Sequence, residues 1–307
     1  DGYVQHTSHE ISLLTMPAQF WKWRMQGGAV TLARLYREHQ YSPDMILISD
    51  MCDVSTFSAL TADLTGNIPV ALYFHASQLT YPQNSRQFHG WRYGFTNYVS
   101  ALAADHVYFN SSYHMTAFFE NLPHMLKHFG DFNELGSIET IREKSSLLSL
   151  GLDLKCYDRF ETDQKKPDLP PLILWNHRWE EEKNPTTFFN ALYRLMDENI
   201  PFRVAITGEN VRQQPEEFEQ ARARLGERLV QYGFIDDFED YARLLWQSDF
   251  VISASYQEFF GGAMAEAIYC ECIPIMPDRL NYPNLIPQEV HQSCLYPTDK
   301  SLYYLLK

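Results

Sequence analysis

The alternation of hydrophobic and polar positions divides the second half of the chain into short apolar runs separated by amphipathic segments. We expect the apolar runs to be buried strands and the segments with helical spacing to be helices. The predicted strands are Leu172–Trp175, Phe202–Ile206, Leu229–Tyr232, Phe250–Ser253 and Ile273–Met276. The predicted helices are Asn184–Met196, Pro215–Leu225, Phe238–Trp246 and Gly261–Cys270. This alternation indicates βαβ units and a parallel sheet.

The first half shows the same alternation with less regularity. Its predicted strands are Met45–Ile48, Val70–Phe74, Val107–Asn110 and Leu147–Leu150. Its predicted helices are Tyr93–Ala104 and Ser112–Phe119, and residues 121–143 are predicted to form an irregular insertion. The fold class is therefore α/β, with two Rossmann-like domains. In such folds ligands bind where the carboxyl ends of the strands face a cleft, and we expect a central cleft between the two sheets.

A polar segment separates the two halves. Residues 161–171 contain three prolines and no apolar period, which is typical of a linker. We therefore assign residues 1–163 to an N-terminal domain, residues 164–171 to the linker and residues 172–307 to a C-terminal domain. The chain length of 307 residues agrees with two domains of roughly 100–200 residues each.

Composition restricts the possible partners. The chain has 39 acidic and 25 basic residues, a net charge of −14, so a polyanion could bind only at a local basic patch. The hydrophobic fraction of 45% is enough for packed cores and excludes global disorder. Five cysteines without a C-x-x-C motif favour a reducing, cytoplasmic location. No apolar run approaches about 18 residues, so we expect no membrane span.

A pair of glutamates lies in the segment 255–274. Glu258 falls in the loop after a predicted strand, and Glu266 falls eight residues later in the next helix. The small residues Gly261–Ala263 open that helix, whose N–H groups suit an anionic phosphate. A carboxylate at Glu266 could then bind a ribose diol. The alternative is two acidic side chains beside a small-residue helix, one of them merely exposed to solvent.

A pair of cations follows the first strand of the second half. Arg178 and Lys183 lie five residues apart in this loop. Two cations at the carboxyl end of a strand could neutralise a diphosphate. Salt bridges to Glu180–Glu182 are an equally good interpretation of the same spacing.

Together these two pairs resemble the retaining GT-B nucleotide-sugar glycosyltransferases, which carry R-x4-K and E-x7-E elements. Phe259 stands at the first glycine of the usual E-G-F-G string, which would narrow the sugar side of the pocket. Thr207–Glu209 resembles the family's glycine turn, and Tyr232–Ile235 resembles the segment that reads the nucleotide base. The implied donor-binding residues are Arg178, Lys183, Gly208, Gly233, Phe234, Glu258, Phe260, Gly261, Gly262, Ala263 and Glu266.

Strings in the first half narrow the resemblance. These are YFH-x-x-Q-L-x-YP from Tyr73, YG-x-x-N from Tyr93 and FNS from Phe109, together with HRWE and EFFG-x-AM in the second half. From Thr15 to Pro283 the chain resembles the tRNA-queuosine α-mannosyltransferase family, a glycosyltransferase family 4-like group. The resemblance implies metal-independent transfer of mannose from GDP-mannose, with retention, to a hydroxyl of the queuosine cyclopentenediol in tRNA.

The resemblance also implies catalytic roles for individual residues and an expectation about the two ends of the chain. The implied catalytic residues are His75, Glu258, Arg178 and Lys183. The candidate acceptor-binding residues are Trp21, Trp23 and Arg24, in a basic-aromatic segment that could stack bases and hold phosphate, together with Gln78, Tyr81 and Arg92. A packed core histidine is the alternative for His75, and core packing is the alternative for the aromatic residues. Family members carry a further strand, loop and helix at the start and a further helix at the end, so we expect a trimmed chain.

Two rival functions remain open at this point. A GT-B enzyme could act on a different glycan or lipid acceptor, although no basic amphipathic helix is evident in the first half. A non-catalytic sugar-nucleotide or RNA-binding module is the other rival. The presence of both the Arg178/Lys183 and the Glu258/Glu266 pairs argues against it, and Glu258→Ala is expected to cut transfer while leaving the fold intact.

Overall fold

The computed structural model describes residues 2–39, 41–80, 90–128, 130–161, 168–208 and 216–307, except the side chains of Gly90 and Trp91. The chain divides into two compact units, Asp1–Gly151 and Leu152–Lys307, called here the N-terminal and C-terminal units. This division precedes the linker predicted at residues 164–171, of which 164–167 lie outside the described residues. It comes early because a 3₁₀ helix, Leu154–Phe160, belongs to the C-terminal unit and buries Tyr157 in its core.

The N-terminal unit is built on a parallel sheet. Its strands are β1 (Ile46–Ser49), β2 (Val70–Phe74), β3 (His106–Phe109) and β4 (Ser145–Leu147). They are paired in that order, and every described pairing is parallel. The helices are α1 (Gly2–His6), α2 (Trp21–His39), α3 (Val54–Thr65), α4 (Gly90–Ala103), α5 (Ser112–Lys127) and α6 (Ser137–Glu143). All five side chains of β2 are buried, as expected for a strand covered on both faces.

The insertion predicted at residues 121–143 is wrong. Helix α5 continues through Pro123 to Lys127, and α6 occupies much of the remainder. The apolar stripe of Leu122, Met125 and Leu126 is buried in the core, and this packing outweighs the local cost of the proline. Strand β4 also begins earlier than predicted, and α2 and α3 have no counterpart among the predicted elements.

The C-terminal unit has a six-stranded sheet. Its strands are β5 (Leu172–Asn176), β6 (Arg203–Thr207), β7 (Leu229–Tyr232), β8 (Phe250–Ile252), β9 (Ile273–Pro277) and β10 (Leu295–Tyr296). Their order is β10-β9-β8-β5-β6-β7, and all pairings among the described residues are parallel. The helices are α7 (Pro185–Asp197), α8 (Glu216–Leu225), α9 (Phe238–Gln247), α10 (Gly262–Tyr269), α11 (His291–Cys294) and α12 (Leu302–Leu306).

Short 3₁₀ helices complete this unit. They lie at Glu181–Lys183, Gly226–Arg228, Tyr282–Leu285, Gln288–Val290 and Asp299–Ser301. The sequence did not predict β10, but the strands and helices before it agree with the prediction within one or two residues at most ends. The α/β class with two parallel sheets is therefore confirmed. No helix among the described residues is long and apolar enough to span a membrane.

The pairing of β5 with β8 sets the position of the predicted chemistry. Ile173 pairs with Phe250 and Leu174 pairs with Val251 in a parallel register. Because the carboxyl ends of parallel neighbours meet at one edge of the sheet, the loops after β5 and β8 lie side by side. These loops carry the predicted cations and the first predicted glutamate.

Candidate functional site

A buried ion pair joins the loops that follow β5 and β8. Lys183 is buried, and its Nζ lies 3.2 Å from Oε2 of Glu258 and donates to the carbonyl oxygen of Gln257 at 3.4 Å. The other carboxylate oxygen of Glu258, Oε1, accepts the N–H groups of the next three residues at 3.1, 3.3 and 3.1 Å. Both oxygens of Glu258 are therefore engaged within the C-terminal unit.

The charge state of this pair follows from its surroundings. Burial alone would raise the pKa of Glu258, but the positive charge of Lys183 and the donated N–H groups hold that pKa below its usual range. Burial, with the nearby charge of Lys183, lowers the pKa of His177 to about 3. His177 is therefore a neutral imidazole, and its Nε2–H donates to the carbonyl oxygen of Ile252 at 3.2 Å.

Gly208 allows the backbone after β6 to approach the backbone after β5. Its φ is 142°, and a Cβ at this position would lie 1.9 Å from the carbonyl oxygen of His177. No side chain larger than hydrogen fits there. The predicted glycine turn thus has a structural cause, while its role in donor binding stays a prediction. Glu209, the last residue of that string, lies outside the described residues.

The small-residue start of α10 is also fixed by close packing. Gly261 has a φ of 95°, and a Cβ there would lie 2.7 Å from Cδ1 of Leu285. Helix α10 begins at Gly262 and continues through Ala263. Phe259, at the position where the resembled family has glycine, is buried. The loop before the helix donates its N–H groups to Glu258, so the predicted phosphate cradle shares this region with a carboxylate.

Glu266 lies at the end of a hydrogen-bond relay from β5. The hydroxyl of Tyr241 donates to Oε2 of Glu266 at 3.2 Å, and Nδ2 of Asn176 donates to the Tyr241 hydroxyl at 3.3 Å. Nδ2 of Asn176 also donates to the carbonyl oxygen of Ala263 at 2.9 Å. Burial raises the pKa of Glu266, although the hydroxyls of Tyr241 and Tyr157 oppose this shift. The relay therefore orients a carboxylate on the first turns of α10.

The sequence reasoning missed the two residues that orient Glu266. Asn176 is a polar residue at the carboxyl end of an otherwise apolar strand, and this signal could have identified it. Its Oδ1 is buried and has no hydrogen-bond partner among the described residues. Tyr241 carries no such signal, because it lies on a helix whose other apolar residues form the core.

Arg178 takes the salt bridges that the sequence left as an alternative. Its guanidinium contacts both carboxylate oxygens of Glu180, at 3.1 and 3.0 Å, and lies 3.7 Å from Oε1 of Glu182. The side chain of Arg178 is half exposed, so these ion pairs contribute little to the free energy of unfolding. The same exposure would let a phosphate replace the carboxylates, and the role of Arg178 in donor binding stays a prediction.

The segment predicted to read the base follows β7. Gly233 has a φ of 104°, and its N–H donates to the carbonyl oxygen of Ile206 at 3.0 Å. Phe234 follows this turn with an exposed side chain. Phe260, also predicted at the donor site, is partly buried beside the start of α10.

His75 follows β2 in the N-terminal unit, and its loop is held by buried polar side chains. The N–H of His75 donates to Oδ1 of Asp50 at 2.9 Å, and its carbonyl oxygen accepts Nδ2 of Asn110 at 2.9 Å. The N–H of Gln78 donates to Oδ1 of Asn97 at 3.0 Å. His75 is exposed as a residue, against the alternative of a packed core histidine, although its ring lies 4.7 Å from that of Tyr73 and partial burial lowers its pKa.

Asp50 is a titratable group that the sequence reasoning missed. It is buried at the end of β1, and burial raises the pKa of its carboxyl to about 7, against the opposing N–H groups of His75 and Ala76. Its own carbonyl oxygen accepts Nδ2 of Asn97 at 3.1 Å. Asp50 therefore connects β1, the His75 loop and α4.

The predicted acceptor-binding residues lie mainly on two helices of the N-terminal unit. Trp21, Trp23 and Arg24 occupy the first turn of α2, and the two tryptophans are exposed, against the core-packing alternative. Arg92 is exposed on α4. Gln78 is partly buried in the His75 loop, and Tyr81 lies outside the described residues. Within the described ranges, no group of three or more His, Cys, Asp or Glu residues could hold a metal ion.

Comparison with protein families divides the chain in nearly the same way as the structure. Residues 1–152 match the model of the tRNA-queuosine alpha-mannosyltransferase N-terminal domain. Residues 158–303 match the model of the glycosyl transferases group 1. A tRNA-queuosine alpha-mannosyltransferase from Drosophila melanogaster is 33% identical over 310 residues, which covers 98% of this chain and 80% of that protein.

Solved structures share the fold at low sequence identity. HepE from Anabaena, in complex with UDP and glucose, has a TM-score of 0.62 and 16% identity, over 92% of this chain and 72% of that one. A UDP-forming trehalose-phosphate synthase from Burkholderia xenovorans, with glucose-6-phosphate, has a TM-score of 0.66 and 10% identity, over 93% and 68%. The GT-B fold class expected from the sequence is confirmed.

Proposed function

Since this chain belongs to the tRNA-queuosine alpha-mannosyltransferase family and is a glycosyltransferase, we propose that it transfers mannose from GDP-mannose to the queuosine of a tRNA. The observation that carries the proposal is the 33% identity with the Drosophila melanogaster relative across 98% of the chain. The acceptor is one hydroxyl of the queuosine cyclopentenediol, and the anomeric configuration is retained. The five cysteines are free thiols, which supports a cytoplasmic location.

The leaving group of this reaction is a nucleoside diphosphate, whose developing charge needs cationic partners. In the proposal, Arg178 exchanges its partly buried carboxylate partners, Glu180 and Glu182, for the diphosphate, and Lys183 remains beside Glu258 while reaching the same anion. The N–H groups at the start of α10 face this charge as well. No metal takes part.

The two glutamates have separate parts in the proposal. Glu258, kept ionised by Lys183, accepts hydrogen bonds from hydroxyls of the donor sugar. Glu266, oriented by Tyr241, accepts hydrogen bonds from the ribose diol. In the N-terminal unit, we assign His75 to the reacting centre, since the residue is exposed while its backbone is held by buried side chains.

The test is a transfer assay with matched donors and acceptors. GDP-mannose, UDP-glucose and ADP-glucose are each offered with tRNA that carries queuosine and with the same tRNA unmodified, and hexose addition is followed by mass spectrometry. We expect addition only with GDP-mannose and queuosine-containing tRNA. Equal transfer to the unmodified tRNA, or a preference for another donor, would contradict the proposal. Transfer to a glycan or lipid alone would favour the rival acceptor class.

A further inference from the structure

Three large aromatic side chains, one just before α2 and two in its first turn, are exposed. The exposed fractions are 70% for Phe20, 38% for Trp21 and 62% for Trp23. Together with the exposed Lys22 and the partly buried Arg24, these rings make up residues 20–24, which we call the aromatic-basic surface. Single exposed apolar residues are common, but adjacent exposed aromatic rings mark a contact site more often than a random surface does.

The rings of this surface are held in place by neighbouring residues. The Trp23 indole packs against Gly27, where a Cβ would lie 2.8 Å from Cζ2 of the ring. The Trp21 ring lies 5.4 Å from the ring of Tyr93, centroid to centroid, at an interplanar angle of 52°. Nζ of Lys22 lies 5.7 Å from the Trp21 ring centroid. Rings ordered in this way lose little conformational entropy when a flat group stacks on them.

The charge around the aromatic-basic surface is opposite to that of the whole chain. No Asp or Glu occurs between Glu10 and Glu38, although the chain has 39 acidic residues. Among the described residues, no carboxylate forms an ion pair with Lys22, Arg24 or Arg92. The patch is therefore a local positive surface on a chain of charge −14, as binding of a polyanion requires.

We propose that the aromatic-basic surface binds unpaired nucleotides of the tRNA anticodon loop. The bases stack on Trp21 and Trp23, and the phosphates lie against Lys22 and Arg24. This inference rests on the proposed function for the identity of the RNA. Stacking on aromatic rings tolerates any base, so this surface supplies affinity for single-stranded nucleotides rather than selection of queuosine.

The geometry favours single-stranded RNA over double-stranded RNA and over a membrane. A duplex offers phosphates but keeps its bases stacked within the helix, so it would use the cations and leave the rings unoccupied. Tryptophan and lysine also occur at membrane interfaces, so binding to a membrane is the competing outcome of the test.

The experiment measures binding of an anticodon stem-loop RNA to the full chain by fluorescence anisotropy. Trp23→Ala is expected to weaken this binding by about tenfold, whereas Trp23→Phe, which keeps a ring, is expected to stay within about threefold of the parent. A fully paired RNA of the same length is expected to bind weakly and to respond to neither change. Phe132→Ala is the matched control, because Phe132 is 90% exposed elsewhere in the same unit.

Folding and donor binding are checked separately. Thermal unfolding and GDP-mannose binding should be unchanged in both Trp23 variants, since the side chain lies on the surface. Equal stem-loop affinity of the Trp23→Ala variant and the parent would overturn the inference, even in an enzyme that mannosylates tRNA. Binding to anionic vesicles that depends on Trp23, without stem-loop binding, would overturn it in favour of a membrane.

The proposed function can fail independently of this surface. Loss of stem-loop affinity on Trp23→Ala in a chain that transfers no mannose would sustain the surface and refute the proposed reaction. Lys22→Ala provides a second measurement. Loss of one phosphate contact should reduce the slope of log affinity against log salt concentration by about one. An unchanged salt slope, together with unchanged affinity, would contradict the role of the cations.

Discussion

Replacement of Glu258 by glutamine removes the charge of the buried ion pair and keeps most of its shape. Glutamine retains one oxygen for the three N–H groups that Glu258 accepts, but it no longer neutralises Lys183. Alanine at this position would remove the acceptor of those N–H groups and the carboxylate partner of a buried ammonium, which would keep only the carbonyl oxygen of Gln257. Contrary to the sequence-based expectation, Glu258→Ala therefore tests both fold and activity, and Glu258→Gln is the sharper probe.

The size of the effect follows from burial. Removing one partner of a fully buried ion pair costs about 3–5 kcal/mol. Here the side chain of Lys183 is 9% exposed and that of Glu258 is 22% exposed, so some solvent reaches the carboxylate. We expect Glu258→Gln to lower the free energy of unfolding of the C-terminal unit by about 2–3 kcal/mol.

The assay is urea unfolding of the full chain, with the transition of the C-terminal unit followed separately because two units need not unfold together. Glu239→Gln is the matched control, since Glu239 pairs with Arg243 on the surface with both side chains 49% exposed, and it should change the free energy of unfolding by less than about 0.5 kcal/mol. Combining Glu258→Gln with Lys183→Met should be less costly than the sum of the single changes.

Two results would refute the reasoning. One is a Glu258→Gln effect no larger than that of Glu239→Gln, and the other is additivity in the double variant. The pH dependence provides an independent check of sign. Because the pKa of Glu258 is lowered in the folded state, its contribution to the free energy of unfolding is fully present above the unfolded-state pKa. This contribution is lost as the pH falls through the folded-state pKa. The difference between parent and variant should therefore shrink in acid.

Three further changes test other parts of the chain. Because burial raises the pKa of Asp50 from 3.8 to about 7, the stability of the N-terminal unit should fall as the pH rises through that window, and Asp50→Asn should flatten this dependence in urea unfolding at several pH values. Tyr241→Phe removes the hydroxyl that donates to Glu266 and should weaken GDP binding by about fivefold, as measured by calorimetry. The same change should weaken the binding of 2′-deoxy-GDP by a smaller factor. Gly208→Ala should lower the midpoint of thermal unfolding through a backbone clash costing about 2 kcal/mol or more, and an unchanged midpoint would contradict the geometry.

The sequence predicts the C-terminal unit better than the N-terminal unit for a physical reason. Buried parallel strands and amphipathic helices leave a direct periodic signal, and β5, β6 and β7 are found within one or two residues. Helix α5 was predicted only to Phe119 because Pro123 is a local helix breaker, and its tertiary packing is invisible in the local pattern. Helix α2 begins with a run of exposed aromatic residues that obscures its period.

The sequence predicted which residue types form the candidate site but not which of these residues contact each other. Motif spacing located Lys183 and Glu258, yet it assigned them to different ligand groups, and only the adjacency of the loops after β5 and β8 shows that they contact each other. Spacing also left Arg178 undecided between a diphosphate and Glu180, because both interactions satisfy the same charge. The sequence reasoning did not assign Asn176 and Tyr241 to the site because their hydrogen-bond relay depends on contacts between distant segments.

The strand order of the C-terminal sheet has a consequence for synthesis on the ribosome. Strand β5 can pair with β6 soon after both emerge, but its other edge waits for β8, which follows more than 70 residues after β5. At translation rates of about 5–20 residues per second, this edge stays open for about 4–15 seconds. Lys183 emerges long before Glu258, so its ammonium remains in water during that interval. The ion pair between Lys183 and Glu258 therefore forms only after the whole segment between β5 and β8 has been synthesised.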